Sequence, residues 1–324
     1  MNPAASGILR RLSPRILPAL VFCLLPFGAA NAQPAVEARL APKSLLLDGA
    51  SAGARLVVVG ERGHVLVSAD GGVSWKQARV PVRALLTAVH MHDARIGWAV
   101  GHDAVILRTE DGGLTWRVAH HAPEEERPLL DVWFRDERVG FAVGAYGYFL
   151  ATSDGGHTWK PRTIDKDDFH LNAIVPAGPS RLFIAGEAGA IYRSDDGGGA
   201  WRKLPSPYTG SWFSALPLDA DRLLLLGLRG SMFRSENGGE SWTQVSTRTK
   251  ATLTGALLVK PGLLLVTGLE GALLVSRDGG RSVSTDAVFR PLTSRLGISK
   301  ALALSGGGVL LLGEFGAKRL PGAR

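Results

Sequence analysis

The sequence predicts an all-β fold, a seven-bladed β-propeller of four-stranded antiparallel blades, and three observations lead to this prediction. The motif S/T-x-D-G-G-x-S/T-W recurs six times, at intervals of 41 to 43 residues. A second motif, G-x-x-G, precedes each copy, in degenerate form at Gly101–Ala104, and a seventh stands at Gly313–Gly316. Short runs of β-branched and apolar residues separate the motifs, and helical periodicity is nowhere sustained.

The length of the repeat sets the number of blades. A period of about 42 residues is typical of stacked or radial repeat proteins. Residues 33–324 form the predicted single propeller domain, whose 292 residues hold about seven such units. The second unit offers an inner strand at Leu86–Met91, a second strand at Ile96–Gly101, a third at Val105–Thr109, and an outer strand that begins at a Trp.

The first motif is the Asp-box, or BNR repeat, and each of its positions has a structural role. Two glycines permit the positive φ values of a tight hairpin, the Asp carboxylate accepts backbone N–H bonds, and the Trp packs between blades. The copies lie at residues 68–75, 109–116, 152–159, 194–201, 235–242 and 276–283. The predicted turn residues are Asp70, Asp111, Asp154, Asp196, Asn237 and Asp278. A calcium loop needs several oxygen ligands, whereas most boxes offer one carboxylate, so the pattern favours a turn over a metal site.

The two ends of the domain predict how the ring closes. The last unit has residues for three strands, and the segment Ala35–Ala41 precedes the first inner strand without a unit of its own. We expect this N-terminal segment to supply the outer strand of blade seven. Such a closure would leave no exposed strand edge.

Residues 1–32 predict a cleaved signal peptide. Three arginines precede an apolar run at Ile16–Ala29, and an A-x-A site ends just before Gln33. The protein is therefore expected to be periplasmic or otherwise exported, and lumenal in a photosynthetic source. Cleavage removes Cys23, the one cysteine, so the mature chain has no disulfide and no thiol nucleophile.

The charge balance excludes one class of partner. Loss of the three leader arginines lowers the formal net charge from +8 to +5. This mild excess is not the dense basic stripe of a nucleic-acid-binding protein. A net charge of +5 is compatible with three kinds of anionic partner, namely an acidic protein surface, an anionic glycan or an anionic lipid headgroup. Binding to a lipid headgroup would make the protein a peripheral membrane protein.

Histidines and acids of the second unit form a candidate zinc site. They are His90, His92, Asp93, His102, Asp103, His120 and His121. Zinc uses such ligands, but the aligned positions of His90 and His92 in the third unit hold Trp133 and Arg135. This strand face therefore accepts aromatic and polar side chains without a metal. We expect neither a metal nor a cofactor.

The unit "DVWFRDERVGFAVGAYGYFLATSDGGHTW" at Asp131–Trp159 resembles the repeat of the photosystem II stability/assembly factor family. The resemblance extends over roughly residues 44 to 320 and weakens toward the C-terminus. It implies a seven-bladed lumenal or periplasmic propeller and a non-catalytic scaffold that holds a membrane-protein subunit, complex or precursor during assembly. In bacteria that do not photosynthesise, the partner implied is another membrane complex.

A sialidase-like glycoside hydrolase is the alternative function, because Asp-boxes also occur in that class. Such an enzyme needs an arginine cluster, a Tyr nucleophile with an acidic partner, and a separate Asp acid/base. The four tyrosines lie in no recognisable motif, and the nearest match to the segment that usually opens a sialidase domain is Phe289–Leu292, at the wrong end of the chain.

The face that carries the G-x-x-G turns and the loops between blades is the candidate partner-binding surface. Arginines with interleaved aromatic residues are typical of protein-binding surfaces. The alternative interpretation is that these side chains are ordinary solvated residues of surface loops. The candidate residues are Arg62, Arg83, Arg127, Tyr146, Trp212, Arg229, Arg248, Arg290 and Arg295.

Overall fold

The computed structural model describes residues 33–285 and 295–320, which form seven antiparallel sheets arranged as blades. Blade one contains β1 (Leu46–Ala52), β2 (Arg55–Gly60), β3 (Val65–Ser68) and β4 (Lys76–Gln77). Blade two contains β5 (Leu86–Met91), β6 (Gly97–Gly101), β7 (Ile106–Thr109) and β8 (Arg117–His120). Blade three contains β9 (Leu129–Phe134), β10 (Gly140–Gly144), β11 (Phe149–Thr152) and β12 (Lys160–Pro161).

The remaining blades follow the same order. Blade four contains β13 (Leu171–Pro176), β14 (Leu182–Gly186), β15 (Ile191–Ser194) and β16 (Arg202–Lys203). Blade five contains β17 (Trp212–Pro217), β18 (Leu223–Gly227), β19 (Met232–Ser235) and β20 (Thr243–Gln244). Blade six contains β21 (Leu253–Lys260), β22 (Leu263–Gly268) and β23 (Leu273–Ser276), and blade seven contains β24 (Ile298–Ala303), β25 (Val309–Gly313) and β26 (Gly316–Leu320).

Helical structure is limited, among the described residues, to single turns of 3-10 helix. They lie at Ala41–Lys43, Glu61–Gly63, Pro123–Glu125, Glu187–Gly189, Leu228–Gly230 and Leu269–Gly271. Strand order follows chain order within every sheet. The predicted all-β, seven-bladed propeller is therefore confirmed. Blades six and seven have three strands each in the described chain, and the outer strand of blade six is reduced to one bridge between Val275 and Ser284.

The core lies between blades. The second strands β6, β10, β14, β18 and β25 are buried at every position, because each is covered by its neighbours on both faces. Val57 of blade one, for example, shares a cluster with Val89 and Ala99 of blade two. A single blade cannot bury both faces of its own sheet, so the apolar second strands require the ring.

The third Asp-box shows how these turns are built. The Thr152 hydroxyl donates to Asp154 Oδ1 at 2.8 Å and accepts the Gly156 N–H at 3.0 Å. The N–H and the hydroxyl of Thr158 donate to the two Asp154 oxygens at 2.9 and 2.6 Å. Equivalent bonds from a Ser or Thr to the central Asp or Asn recur in the other five boxes. The box carboxylate is thus engaged by its own turn.

Asn237 shows that the turn tolerates loss of the charge. Its Oδ1 accepts the Ser241 N–H at 3.0 Å, while its Nδ2 donates to the Ser241 hydroxyl at 2.9 Å. In the other boxes that have a hydroxyl at this position, the hydroxyl donates to Asp instead. An amide therefore replaces the carboxylate by reversing the direction of one hydrogen bond.

The turn hydrogen bonds also stabilise the ionised carboxylates. The hydroxyl and N–H of Ser74, with the Ser68 hydroxyl, hold the pKa of Asp70 well below its usual range. Burial would raise the pKa of Asp278, but bonds from Ser282 and Ser276 outweigh it and lower this pKa to about 2. Hydrogen bonds to the charged form of a carboxyl favour ionisation in this way.

Five of the six boxes also accept a hydrogen bond from the blade before them. A side chain of one blade donates to a backbone carbonyl of the next blade's box in five successive pairs. These are Arg55 to Asp111 (3.2 Å), Trp98 to Gly155 (3.1 Å), Arg162 to Gly199 (2.6 Å), Arg193 to Gly238 (2.8 Å) and Arg234 to Gly279 (3.1 Å). The boxes therefore join blades as well as ending hairpins.

The predicted closure of blade seven by Ala35–Ala41 is not confirmed. The N–H of Ala35 donates to Val80 O at 2.9 Å. The side-chain amide of Gln77 donates to Val36 O and accepts the Ala38 N–H, both at 2.8 Å. These bonds hold the segment beside the outer strand of blade one, and β26 pairs with β25 alone in the described chain. A side chain far away in sequence, Gln77, decides this placement.

An ion pair joins the last blade to the first. Lys300 Nζ on β24 lies 2.8 Å from Asp48 Oδ1 on β1. Attraction to Asp48 raises the pKa of Lys300, although desolvation opposes the shift, and this keeps the ammonium charged. The Asp48 side chain is largely buried and also accepts the Val89 N–H of blade two at 3.0 Å. One carboxylate thus links blades seven, one and two.

Replacing Asp154 by Ala is expected to lower the free energy of unfolding by on the order of 1–3 kcal/mol, through lost turn bonds. Because the turn lowers the Asp154 pKa, its contribution is fully present above the ordinary carboxyl pKa and is lost as pH falls through the lower, folded-state value. Urea denaturation at pH 7 and pH 3 measures both effects. Asp154→Asn is the matched control, expected to cost less, and an unchanged Ala variant would contradict the turn role.

Replacing Lys300 by Met is expected to destabilise the protein by about 1–3 kcal/mol, because the buried Asp48 carboxylate loses its cation. Adding Asp48→Asn should restore part of the loss. Urea denaturation checks both, with the exposed Lys260→Met as the control. Equal effects of Lys300→Met and Lys260→Met would mean that the ion pair does not hold the ring closed.

Candidate functional site

The blades present two chemically different faces. The turn face carries the seven short turns that follow the second strands, at residues 61–63, 102–104, 145–147, 187–189, 228–230, 269–271 and 314–315, together with the loops between blades. The box face carries the Asp-boxes and the turns between first and second strands. On that face the N–H of Gly155 bonds to Arg138 O and that of Gly197 to Ser180 O, at 2.9 and 2.7 Å.

On the turn face, the short turns of blades one to five each lie against the loop that leaves the same blade. Arg62 and Arg229 occupy left-handed backbone at φ 55° and 56°, each followed by a glycine. In blade one, Gly63 lies so close to the outgoing loop that a Cβ added to it would come within 3.2 Å of Arg83 Cα. In blade five, the hydroxyl of Thr247, the residue before Arg248, donates to Gly230 O at 2.8 Å. The fold therefore brings the predicted arginines together as two pairs.

These pairs are Arg62 with Arg83, and Arg229 with Arg248. All four side chains are exposed. Within residues 33–285 and 295–320 no carboxylate forms a salt bridge with any of them, and Arg83 donates to Gln33 Oε1 at 3.2 Å. Exposed guanidinium groups on neighbouring turns can grip a carboxylate through two parallel bonds.

The other predicted residues have more varied surroundings. Arg127 pairs with Glu125, and its guanidinium lies 4.2 Å from the Tyr148 ring centroid. Tyr146 is 54% exposed and meets His170 edge-on at 4.8 Å. Arg295 is exposed, and Arg290 lies outside the described residues. Of the two predicted aromatic residues, Tyr146 is thus the one exposed on the turn face.

Trp212 is a correction. Its side chain is 0% exposed, packs edge-on against Phe233 at 5.7 Å and donates to the Ser206 hydroxyl at 3.3 Å. Trp212 begins the inner strand of blade five, a position that its neighbours cover completely. It stabilises the core and does not belong to the binding surface.

A tyrosine with acidic partners does occur, but its surroundings oppose catalysis. Tyr192 donates to Asp165 Oδ2 at 2.8 Å, and Lys203 binds Asp165 and Asp167 at 2.7 and 3.0 Å. Burial and the hydrogen bond to Asp165 raise the pKa of Tyr192. A phenol that is 1% exposed and kept protonated is not an activated nucleophile.

The central channel is a second candidate site that sequence reasoning missed. A cavity of about 410 Å³ is lined by the inner strands of all seven blades. The third residue of each inner strand lies there, in the order Asp48, Ala88, Asp131, Ala173, Ser214, Gly255 and Lys300. Aligning the seven repeat units in the sequence would have shown charged residues at this position in three of them, and small residues in the other four.

A bulge recurs on these inner strands and links the blades. The pairing register shifts around the second residue of each inner strand, so that residue is unpaired. Thr87, Asn172 and Thr254 at this position donate to the first residue of the next inner strand, at 2.7, 2.8 and 2.6 Å. A bulge redirects a side chain in this way.

Asp131 is the most perturbed carboxyl of the channel. Burial and the nearby Asp48 raise its pKa to about 7, although bonds from Ile174 and Val132 and the charge of Lys300 oppose this. The Val132 N–H donates to Oδ1 at 2.8 Å and the Ile174 N–H to Oδ2 at 2.9 Å. Oδ2 therefore joins blade three to blade four, while Oδ1 is bound by the backbone of its own strand.

The histidine cluster does not assemble as a metal site. His90 stacks near Trp98 and Phe134 at 6.5 and 6.3 Å, and burial lowers its pKa to about 4. In the part of the chain that the structure describes, no three His, Cys, Asp or Glu side chains form a group able to hold a metal ion. The described helical turns are also too short and polar to cross a membrane.

Known proteins resemble this chain in sequence. The family model for the photosynthesis system II assembly factor YCF48 matches residues 40–123 and 119–257. The photosystem II assembly protein Ycf48 of Synechococcus sp. (strain JA-3-3Ab) is 41% identical over 132 residues, which is 40% of this chain and 40% of the relative. The aligned part thus spans about two fifths of that relative's length.

Solved structures resemble the fold. YCF48 bound to a D1 peptide has a TM-score of 0.71 at 20% identity, covering 87% of this chain and 94% of that one. YCF48 from Cyanidioschyzon merolae has a TM-score of 0.72 at 17% identity, covering 86% and 96%. A GH74 xyloglucanase from Xanthomonas campestris has a TM-score of 0.59 at 17% identity, covering 80% and 49%. At these identities the likeness establishes the propeller fold.

Replacing Asp131 by Asn is expected to raise the melting temperature at pH 8 more than at pH 5. The raised pKa means that the carboxyl favours folding while protonated, and that this contribution is lost as pH rises through about 7. Asn keeps an acceptor and stays neutral. We expect a gain of roughly 2–4 °C at pH 8, equivalent to about 1 kcal/mol. Thermal melts at both pH values, with Asp168→Asn as control, test this; a pH-independent difference contradicts it.

Proposed function

The chain belongs to the family of the photosynthesis system II assembly factor YCF48, and we propose that it is a non-catalytic assembly scaffold that binds a protein partner on its turn face. The observation that carries the proposal is the pair of exposed arginine clusters, Arg62 with Arg83 and Arg229 with Arg248. The partner is a membrane protein or its precursor, by analogy with the D1 peptide bound to a solved relative. The leader-like residues 1–32 support export, to the periplasm or an equivalent compartment.

The electrostatics of the two faces favour the turn face as the docking surface. On the box face, arginines such as Arg181, Arg193 and Arg234 are already bound to carboxylates and to neighbouring boxes. On the turn face, the two arginine pairs have no such commitment in the described chain. An acidic segment of a partner would meet them without breaking a bond between blades.

A glycoside hydrolase remains the second candidate, because Asp131 has a raised pKa beside Asp48 in a channel, as a general acid would. The positions of the carboxyl groups oppose it. Both Asp131 oxygens accept backbone N–H bonds, and Asp48 is bound to Lys300. The described lining of the channel contains no arginine and no tyrosine. A panel of chromogenic glycosides and sialosides tests this candidate, and turnover that Asp131→Asn abolishes would replace the scaffold proposal.

Reversal of Arg62, Arg229 and Arg248 to Glu together tests the scaffold proposal. We expect the propeller to stay folded and capture of the partner from detergent-solubilised membranes to fall roughly tenfold, since three exposed charge contacts are worth about 0.5 kcal/mol each. The capture that remains should depend less on salt.

The matched control reverses three exposed cations on or next to the box face, Lys76, Arg138 and Lys160. These residues form no salt bridge in the described chain, unlike Arg202 and Arg281, which bind Glu240 and Glu236. Equal loss from both sets would indicate only general charge attraction. Loss from the control set alone would move the docking surface to the box face.

A further inference from the structure

A cavity of about 350 Å³ lies on the box face, between blades three and four. It is lined by the apolar side chains of Phe141 and Ala151 from blade three and by three glycines of the fourth Asp-box, at residues 197–199. The volume is at the lower end of the range of small-ligand sites, which are mostly apolar and contain a few polar groups. Two departures from the repeat pattern supply such polar groups here.

The first departure is at Ala151, the third residue of β11. Blades four and five have Arg193 and Arg234 at the same position, and both guanidinium groups donate to the first glycine carbonyl of the next box. Their side chains are 12% and 5% exposed, so these arginines fill the space between the blades. Ala151 leaves that space open, and the corresponding carbonyl, on the buried Gly197, accepts no hydrogen bond in the described chain. Because buried carbonyls nearly always have a donor, the cavity favours an occupant that supplies one.

The second departure is at Ala200 in the fourth box. In boxes one, two, three and six, a Ser or Thr hydroxyl at this position donates to Oδ2 of the central Asp, at 2.5 to 2.6 Å. Ala200 has no hydroxyl, so Oδ2 of Asp196 accepts the Ala200 N–H at 3.0 Å without this second bond. Asp196 is exposed and lines the cavity. A hydroxyl of a ligand can therefore take the place of the missing side-chain hydroxyl.

Three cations of blade three line the same cavity, namely Arg135, Lys160 and Arg162. Arg135 pairs with Asp136 at 3.0 Å, whereas Lys160 and Arg162 form no salt bridge within residues 33–285 and 295–320. Arg162 donates to two carbonyls of the fourth box at 3.2 and 2.6 Å, and these bonds occupy two of its five N–H groups. The positive charges exceed the single charge of Asp196, so the cavity favours an anionic ligand.

The donors and acceptors of the cavity together select the chemistry of that ligand. Guanidinium and ammonium groups bind a carboxylate, whereas Asp196 Oδ2 and Gly197 O accept hydrogen bonds from hydroxyl groups. An acidic peptide side chain has the carboxylate without the hydroxyl groups, and a neutral sugar has the hydroxyl groups without the carboxylate. A hexuronic acid, which is a sugar ring with one carboxylate and several hydroxyl groups, offers both.

We propose that this cavity binds a hexuronic acid residue of an acidic glycan, with the carboxylate toward Arg162, the hydroxyl groups toward Asp196 and Gly197 O, and the ring against the apolar wall. The inference goes beyond the proposed function, because the cavity lies on the box face and the arginine pairs of the turn face take no part in it. Arg162 keeps its bonds to the fourth box, since its remaining N–H groups serve the ligand.

Calorimetric titration of the protein with trigalacturonate tests the proposal. We expect saturable binding that is at least about tenfold tighter than the binding of galactotriose, the neutral counterpart, or of tricarballylate, which has carboxylates but no hydroxyl group. Equal binding of galactotriose would refute the role of the carboxylate, and equal binding of tricarballylate would indicate only attraction of anions. Either result overturns the proposal, as does the absence of saturable binding of trigalacturonate.

Two substitutions that restore the repeat pattern locate the site. Ala151→Arg places the arginine of blades four and five in the cavity, and Ala200→Ser restores the hydroxyl that donates to Asp196. We expect Ala151→Arg to remove measurable binding of trigalacturonate, and Ala200→Ser to weaken it roughly threefold to tenfold, the contribution of one hydrogen bond. Melting temperatures verify folding. Undiminished binding to a folded Ala151→Arg variant would place the sugar elsewhere and overturn the proposal.

Removal of one guanidinium tests the carboxylate contact. Arg162→Gln is expected to weaken binding of trigalacturonate by at least about tenfold, because a charge-assisted hydrogen bond is lost. Arg138→Gln is the matched control, since Arg138 is an exposed cation of the box face that does not line the cavity. This control should bind trigalacturonate as the parent does. Equal losses in the two variants would mean that binding depends on overall charge, which contradicts the assigned site.

Discussion

Burial of the second strand of each blade from both sides is the constraint on which the molecule depends. Strands such as Gly97–Gly101 and Val309–Gly313 are apolar at nearly every position and have no solvent-facing side. A four-stranded sheet alone would expose one face of them, so every blade needs a neighbour on each side. The ring must therefore close, and the last blade must be joined to the first by whatever contacts the sequence provides.

Local chemistry explains why the ring could be predicted. The Asp-boxes and G-x-x-G turns form their hydrogen bonds within a few residues, so six boxes at a constant interval are enough to indicate the blades. The closure could not be predicted in the same way. The position of Ala35–Ala41 depends on Gln77, about forty residues away, and the Lys300–Asp48 pair joins opposite ends of the domain. Burial of Trp212 likewise depends on neighbouring strands that its own segment does not reveal.

The channel shows why polar residues in a cavity do not imply catalysis. Six polar residues of the channel differ in chemistry but share one role, since each bonds to a group of the next blade's inner strand. They are Asp48, Thr87, Asp131, Asn172, Thr254 and Lys300. For Thr87, Asn172 and Thr254 the bulge makes this possible, because it leaves the second residue of the inner strand unpaired and free to turn toward the adjacent blade. The raised pKa of Asp131 is a consequence of being buried at such a joint.

The same contacts that hold the blades together determine where a partner can bind. An arginine such as Arg193, bound to Gly238, Asp195 and Glu240, would have to leave the neighbouring blade before it could meet a ligand. Breaking those bonds would offset what a new carboxylate contact contributes, since exposed ion pairs are worth at most about 1 kcal/mol. Arg62, Arg229 and Arg248 form no salt bridge in the described chain, so they carry no such cost. Binding is therefore favoured on the turn face, where the arginines are not needed to hold neighbouring blades together.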